Sequence, residues 1–442
     1  MRLITSESRR CDALLRKSDT TATAERIALS QLPGALAAIA DDENRAVRAV
    51  DLLLTQAILH RASDVHLEAK RSGLVVKFRI DGTLLVVAQI EPALTSLVLT
   101  RLKVLSRLVI YQKHTPQDGR IEYRLGDQTH QFRVAFMPTL HGEKAVIRLA
   151  EALDRPLALD ELGMSPELLR RVRRLIASRQ GVVLLTGPSS SGKTTTMYAM
   201  ILAIYQDAGE TINIATLEDP VEMDLGCISQ TPIPTGGEMS YADGLKSLLR
   251  QDPDVLMIGE ARDLETARIV VQAGLTGHLV ITTIHSGRAW SVYTRLLNMG
   301  IEPFLVASSV QGTIAQRLVR RLCGECKQAR PVDAQTRRRL GLDRDAPIFE
   351  PPALPIACAA CEGTGYRGRT GVFELLESNE DLQELVLSKS SARELAERAR
   401  LLMPGDLRAD AMRKVEAGIT SLAEVFRATG GSIEPEPQEA DE

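Results

Sequence analysis

The chain has 442 residues, 44% of them apolar and 25% charged, which is globular composition long enough for two to four domains. The formal net charge is −3 and aromatic residues make up 3%, so a general basic footprint for nucleic acid is excluded and the cores are expected to be aliphatic. No apolar run approaches the ~20 residues that span a bilayer, and the opening "MRLITSESRRCDALLRK" has no apolar signal core. The expected location is the cytoplasm, with membrane contact made only through partners.

Residues 1–44 are polar and Ala-rich and read as a short N-terminal arm. Residues 45–153 mix helical and alternating patterns. "AVRAVDLLLTQAILHRA" and "LTSLVLTRLKVLSRL" carry apolar residues at helical spacing. "GLVVKFRIDGTLLVV" reads as a hairpin about Asp81-Gly82, and "GRIEYRLGDQTHQFRVAFMPT" as another about Gly126-Asp127. This is α+β patterning. A linker at 154–160 leads to a different rhythm. Over 161–322 the runs "GVVLLTG", "INIATLED", "VLMIGE" and "HLVITTIH" are continuously apolar, as strands of a parallel sheet buried on both faces are. The class is therefore α/β. Residues 323–375 are rich in Cys, Gly, Pro and Arg, residues 376–430 return to helical patterns, and 431–442 form an acidic tail expected to be disordered. There is no internal repeat.

The strongest chemical signal lies between the first apolar run and the helix after it. Gly187, Pro188, Ser189, Ser190, Ser191, Gly192, Lys193 and Thr194 match G-x-x-x-x-G-K-[ST], followed by Thr195. The amides of such a loop wrap phosphate at a helix N-terminus, the lysine reaches the β- and γ-phosphates, and the Thr194 hydroxyl suits Mg²⁺. Hydrolysis also needs carboxylates. Glu218 and Asp219 follow the strand "INIA", and Glu260 follows "VLMI", both at the carboxyl edge where open α/β sheets bind ligands. His278 and His285 stand at opposite ends of a third strand. The position before Glu260, where many nucleotide hydrolases hold an aspartate, is Gly259.

Of the six cysteines, Cys323 and Cys326, then Cys358 and Cys361, form two C-x-x-C knuckles separated by 31 residues. Four thiolates at this spacing suit a closed, structural Zn²⁺ site, where metal substitutes for a core the segment lacks. Cys11 and Cys227 are expected as unpaired thiols.

The motifs together resemble those of the secretion and pilus assembly ATPases. That family carries a Walker A loop, an Asp box, a Walker B of the form "DPDxxxxGExRDxET" and a His box. Here they stand, in order, as "GPSSSGKTTT", "TLEDPVE", "DPDVLMIGEARDLET" and "TGHLVITTIHS". Upstream, "ASDVHLE", "FRIDG", "PQDGRI" and "FRVAFMPTLHGEKAVIRL" are similar to the family's flanking domain; downstream, "RLVRRLCGEC" and "CAACEGTGYRGRTGVFELL" are similar to its metal module.

The resemblance implies a RecA-like P-loop ATPase domain preceded by a PAS-like α+β domain and followed by a zinc module and a helical region. It implies a homo-hexamer using ATP and Mg²⁺ to power pseudopilus assembly for type II secretion, or a pilus-like system. The motor would sit at the cytoplasmic face of the inner membrane, held by a platform protein and by a membrane anchor with a cytoplasmic domain, without direct nucleic-acid contact. Gly-Glu is the usual end of this Walker B, so Gly259 does not signal a dead enzyme. Glu260 is expected near Mg²⁺ and its waters, Glu218 as general base, and His285 as γ-phosphate sensor. Asp219, His278, Arg262 and Arg295 are expected near the nucleotide, and Arg120 and Arg133 as arginines that swing onto it. Ser190 stands where the family usually has Gly; at φ > 0 it costs about 1 kcal/mol. Only about 44 residues precede the flanking domain, against a further docking domain in type II motors. The competing readings are a pilus retraction motor, which the tetracysteine module argues against, and a nucleotide-gated scaffold with little hydrolysis, which the intact Lys193, Thr194, Glu218 and Glu260 argue against.

Overall fold

The computed structural model describes residues 25–39, 43–149, 155–234, 237, 239–342, 347–353, 358–403 and 405–430. Most of the expected arm, the first linker residue and the acidic tail lie outside them. The described residues gather into two compact units, one from 25–149 with 358–367, the other from 155–353 with 368–430.

The first unit is one antiparallel sheet with helices on one face. Its strands are β1 (Asp64–Lys70), β2 (Gly73–Ile80), β3 (Thr83–Ile90), β4 (Gln117–Leu125), β5 (Gln128–Thr139) and β6 (Gly142–Leu149), in the order β3-β2-β1-β6-β5-β4. The helices are α1 (Leu32–Ala37), α2 (Arg45–Leu59) and α3 (Pro92–Leu105). Strand period two decides the packing. Val65 and Leu67, Val76 and Phe78, Phe132, Val134 and Phe136, and Ala145 and Ile147 share one core with Val50, Leu53 and Leu54 of α2. Both hairpins form as expected. Asp81 and Gly82 both take positive φ, 49° and 83°, as a two-residue I′ turn requires; at the second turn Gly126 takes 60°. Strands β1 and β6 were not expected, because "DVHLEAK" and "GEKAVIRL" alternate with charge and carry no turn pair of their own.

The second unit is a seven-stranded sheet. β7 (Gly181–Thr186), β8 (Ile214–Glu218), β9 (Ser229–Pro232), β10 (Val255–Ile258), β11 (Leu279–Thr283), β12 (Val310–Leu322) and β15 (Tyr366–Glu377) lie in the order β15-β12-β7-β11-β10-β8-β9. From β12 to β9 every neighbour pair is parallel. Successive residues feed opposite cores, which is why these runs are apolar throughout. Val182, Leu184, Leu256 and Ile258 pack into one cluster, and Val183, Leu185, Val255 and Met257 into the other. Helices α4 (Pro166–Ala177) and α5 (Lys193–Ala208) cover the second cluster; α6 (Tyr241–Leu248), α7 (Leu264–Leu275), α8 (Ser291–Asn298) and α9 (Pro303–Ser309) cover the first. Between β12 and β15 lie α10 (Ala334–Leu340) and a two-stranded ribbon of β13 (Gln328–Arg330) and β14 (Ile348–Glu350). Four helices follow: α11 (Glu380–Leu387), α12 (Ala392–Leu402), α13 (Leu407–Glu416) and α14 (Leu422–Thr429). The segment read as one cysteine module thus ends inside the large sheet.

Among the described residues no helix is long and apolar enough to cross a membrane.

Candidate active site

Because β7, β8, β10 and β11 run parallel, their carboxyl ends open on one edge, and four sequence motifs meet there. The first is the loop from β7 to α5. Gly187 takes φ 152° and Gly192 φ 87°. A Cβ on Gly187 would lie 2.5 Å from the Gln316 carbonyl oxygen and 2.6 Å from Ser191 Oγ, so the loop closes only with glycine there. Ser190 has the left-handed φ of 60° that its serine tolerates poorly. Lys193 Nζ donates to the carbonyls of Gly187 (2.9 Å) and Pro188 (3.0 Å). Burial lowers its pKa, the Glu260 carboxylate opposes that, and Arg317 adds to it. Ser191 Oγ is buried and has no hydrogen-bond partner among the described residues. Thr194 and Thr195 are half-buried in the first turn of α5.

The two glutamates differ in surroundings. Glu218, at the end of β8, is buried and accepts from Tyr198 Oη, from Thr216 Oγ1 at 2.6 Å and from Gln230 Nε2 at 3.0 Å. Glu260, just past β10, is half-buried. It accepts from Arg262 Nε at 2.7 Å, and its other oxygen lies 2.9 Å from His285 Nε2. Glu260 is also the carboxylate that Lys193 feels. Asp219 is exposed beside Glu218.

The structure thus brings Lys193, Glu260, Arg262 and His285 together around one carboxylate. It does not bring His278 there. His278 precedes β11, at the opposite edge of the sheet, where its Nδ1 lies 3.1 Å from the Ala273 carbonyl. The five residues of β11, roughly 16 Å of strand, lie between His278 and the edge that holds His285. Arg295 is exposed on α8 and has no side-chain ion pair among the described residues. Arg120 and Arg133 belong to the other unit. They are register partners on β4 and β5, both exposed, and Arg133 in turn faces Arg148 on β6. Arg148 is tied to Asp64 at 3.0 Å, whereas Arg120 and Arg133 have no ion pair among the described residues.

Sequence reasoning missed several groups at this edge. Tyr198 sits one turn into α5 and reads as a core position. Arg317 and Gln316 come from β12. Gln316 Nε2 donates to the Ser191 carbonyl (2.7 Å), and Arg317 donates to the carbonyl of Gly287 (2.8 Å), just past the His box. Thr186 and Ser286 exchange two hydrogen bonds, 2.9 and 2.8 Å, locking the end of β7 to the same loop. Tyr241, first residue of α6, stands over Gly259. Of these, only Tyr198 carried a signal, as a polar tip in an apolar helix face.

The sulfurs of Cys323, Cys326, Cys358 and Cys361 all lie within 4.8 Å of one another, and Gly365 N–H donates to Cys361 Sγ at 3.3 Å. Tetrahedral thiolates about 2.3 Å from zinc stand about 3.8 Å apart, so this soft four-sulfur set fits that metal. Of the expected single thiols, Cys11 lies outside the described residues, and Cys227 is half-buried beside the second core cluster.

Residues 39–427 match the family described as type II/IV secretion system protein. The chain is similar to the type II secretion system protein E of Aeromonas hydrophila, 43% identical over 392 residues, covering 88% of this chain and 77% of that one. It is likewise 43% identical over 389 residues to the type II secretion system ATPase E of Vibrio cholerae serotype O1, covering 88% and 76%. Among solved structures, the Legionella pneumophila ATPase DotB aligns with a TM-score of 0.62 at 20% identity, over 85% of this chain and 94% of that one. The pilus retraction motor PilT with bound ADP aligns with a TM-score of 0.57 at 23% identity, over 88% and 98%. At those identities the two structures speak for a shared α/β fold.

Proposed function

The chain belongs to the type II/IV secretion system protein family as a secretion or pilus motor ATPase, and from that premise we propose that it is the hexameric, ATP-hydrolysing motor of a type II secretion system or a related pilus-like assembly system. The observation that carries the reading is the convergence of Lys193, Glu260 and His285 at the carboxyl edge of three adjacent parallel strands.

In this reading the amides of 187–194 and the Lys193 ammonium hold the β- and γ-phosphates. Thr194 and Glu260 offer the hard oxygen donors that suit Mg²⁺, which when bound neutralises phosphate charge. Water attacks the γ-phosphorus, the bond to the β–γ bridging oxygen breaks, and the water's proton passes to a carboxylate. Glu218 is the carboxylate assigned to that proton. Its three neutral donors fix its orientation and leave one lone pair of Oε2 for the water. His285 is assigned to sense the γ-phosphate, a role its 56% exposure and its contact with Glu260 support. Asp219 and Arg262 complete the charged rim. Arg120 and Arg133, which have no ion pair among the described residues, are the arginines proposed to neutralise transition-state charge on domain closure. The four cysteines hold a structural Zn²⁺. The motor works as a peripheral protein at the cytoplasmic face of the inner membrane, through a platform protein and a membrane anchor.

Steady-state hydrolysis by the purified oligomer tests this. Lys193→Ala is expected to remove it. Glu260→Gln should raise the Mg²⁺ concentration needed for half-maximal rate, and Glu218→Gln should cut kcat at saturating Mg²⁺. Wild-type turnover in Lys193→Ala would sink the motor reading; a swapped Mg²⁺ response would exchange the two glutamates' roles.

A further inference from the structure

Gly259 has no positive φ, so its backbone does not ask for glycine. What it lacks is room. A Cβ there would stand 2.9 Å from Tyr241 Oη, 3.5 Å from the Leu217 carbonyl oxygen and 3.7 Å from Glu218 Cα. The space that an aspartate side chain would fill after β10 is taken by a phenol from a different element.

Tyr241 is held there by local structure. Ser240 caps α6, accepting from the Asp243 N–H at 3.1 Å, and the Asp243 carboxylate in turn accepts from the Ser240 N–H and hydroxyl. Tyr241 is the first residue inside that cap, and its ring packs partly buried against the core that includes Leu217 and Ile258. Its hydroxyl has no hydrogen-bond partner among the described residues. Yet it sits against the backbone between Glu218 and Gly259, with Asp219, Arg262, Glu260 and Glu218 all within electrostatic range. A half-buried hydroxyl with no protein partner among the described residues, at the meeting point of the site's carboxylates, is free to hold a water.

We propose that Tyr241 is a catalytic, water-positioning residue for ATP hydrolysis, its hydroxyl hydrogen-bonding the attacking water from the space that an aspartate side chain at position 259 would otherwise fill. The assignment rests on the ATPase reading above. The phenol keeps its proton throughout: the water's oxygen bonds to phosphorus, the ADP oxygen leaves, and the proton goes to the carboxylate. Burial, then the carboxylates around it, push the phenol's pKa up to about 12, so it is a neutral donor and acceptor at working pH.

The test compares Tyr241→Phe, Lys193→Ala, Gly259→Ala and Gly259→Ala/Tyr241→Phe in the full-length oligomer. Tyr241→Phe should lower kcat about tenfold while KM for ATP, affinity for a fluorescent ADP analogue and Tm stay put, as losing one hydrogen bond to a reacting water implies. Gly259→Ala should lower Tm by pushing its Cβ into Oη, and Tyr241→Phe in the same chain should restore part of that loss, a coupling that does not depend on turnover. A Tyr241→Phe kcat within twofold of wild type, with Lys193→Ala inactive, overturns the proposal alone. So does a parallel fall of kcat, ADP affinity and Tm, which would mark a packing role. Turnover surviving in Lys193→Ala overturns the ATPase reading and this proposal with it.

Discussion

The two sheets put their chemistry in different places. In the seven-stranded sheet both faces are buried, and the charged groups Lys193, Glu218, Glu260 and His285 stand at or just beyond strand ends. In the six-stranded sheet helices cover one face only, and the other carries charge across the strands. Arg120, Arg133, Arg148, Asp64 and Arg79 form one row through β4, β5, β6, β1 and β2. A parallel sheet concentrates a site at an edge; a half-covered antiparallel sheet spreads one over a surface. Within the row the chain distinguishes its members. Asp64 holds Arg148 and Arg79, and leaves Arg133 and Arg120 uncommitted.

That difference sets the largest expected effect outside the phosphate loop. If the uncommitted pair acts on the nucleotide, Arg133→Ala and Arg120→Ala should each cut kcat of the oligomer by roughly a hundredfold or more, the scale of arginines that neutralise phosphoryl transition states. ADP affinity and Tm should barely change, because both side chains are exposed and neither has an ion pair among the described residues. Arg79→Ala, in the committed part of the row, should cost less. Equal losses along the row would mean that the face works as undifferentiated positive charge.

A smaller effect compares one held carboxylate in each unit. Hydrogen bonds from Lys77 and Lys144 bring Glu68, on β1, down to about 2 despite its partial burial. Burial pushes Glu424, on α14, up, but Arg427 and Arg320 outweigh it and also leave it at about 2. Both folded pKa values lie below the ordinary 4.5, so each carboxylate's contribution is full above about pH 4.5 and is lost as pH falls toward 2. By that linkage Glu424 is worth on the order of 3 kcal/mol at neutral pH, and Glu68, nearer to solvent and more screened, less. Glu424→Gln should cost more than Glu68→Gln, since Glu424 is 1% exposed and also accepts from the Arg320 N–H (2.9 Å). Acid titration of Tm for both variants checks this: a Glu424→Gln protein whose Tm falls below pH 4 as steeply as wild type would discard the assignment.

The same contrast explains what could be read beforehand. Strands β7, β8, β10 and β11 stand out because both faces are buried and nothing polar interrupts them. Strands β12 and β15 hide, because "VQGTIAQRLVRRL" and "YRGRTGVFELLE" mix arginines into the run where each strand leaves the core. With β12 unseen, Arg317 and Gln316 could not be placed behind the phosphate loop. Lys193 and Glu260 were readable because each sits inside a local motif. Tyr241 was not, because it reaches Gly259 from another element, and no pattern within one element reports a contact made in the fold. His278 and His285 could be set at opposite ends of one strand from the sequence, and the structure gives each end its own edge of the sheet.

The smallest effect concerns strain at the sheet's functional edge. Ser190 holds φ 60° in the phosphate loop, a conformation that costs a side-chain-bearing residue about 1 kcal/mol or somewhat more. Glycine would remove that cost but would add chain entropy to the unfolded state, typically about 0.5–1 kcal/mol. The two nearly cancel, and the steric term is the larger, so Ser190→Gly should raise Tm by no more than about 2 °C. Its side chain is exposed and touches no catalytic group, so turnover should hold within twofold. A clear fall in kcat would mean that the strained serine presets the loop for phosphate, as strain stored at a functional edge can. The parallel sheet would then carry at its strand ends not only its charges but its conformational tension.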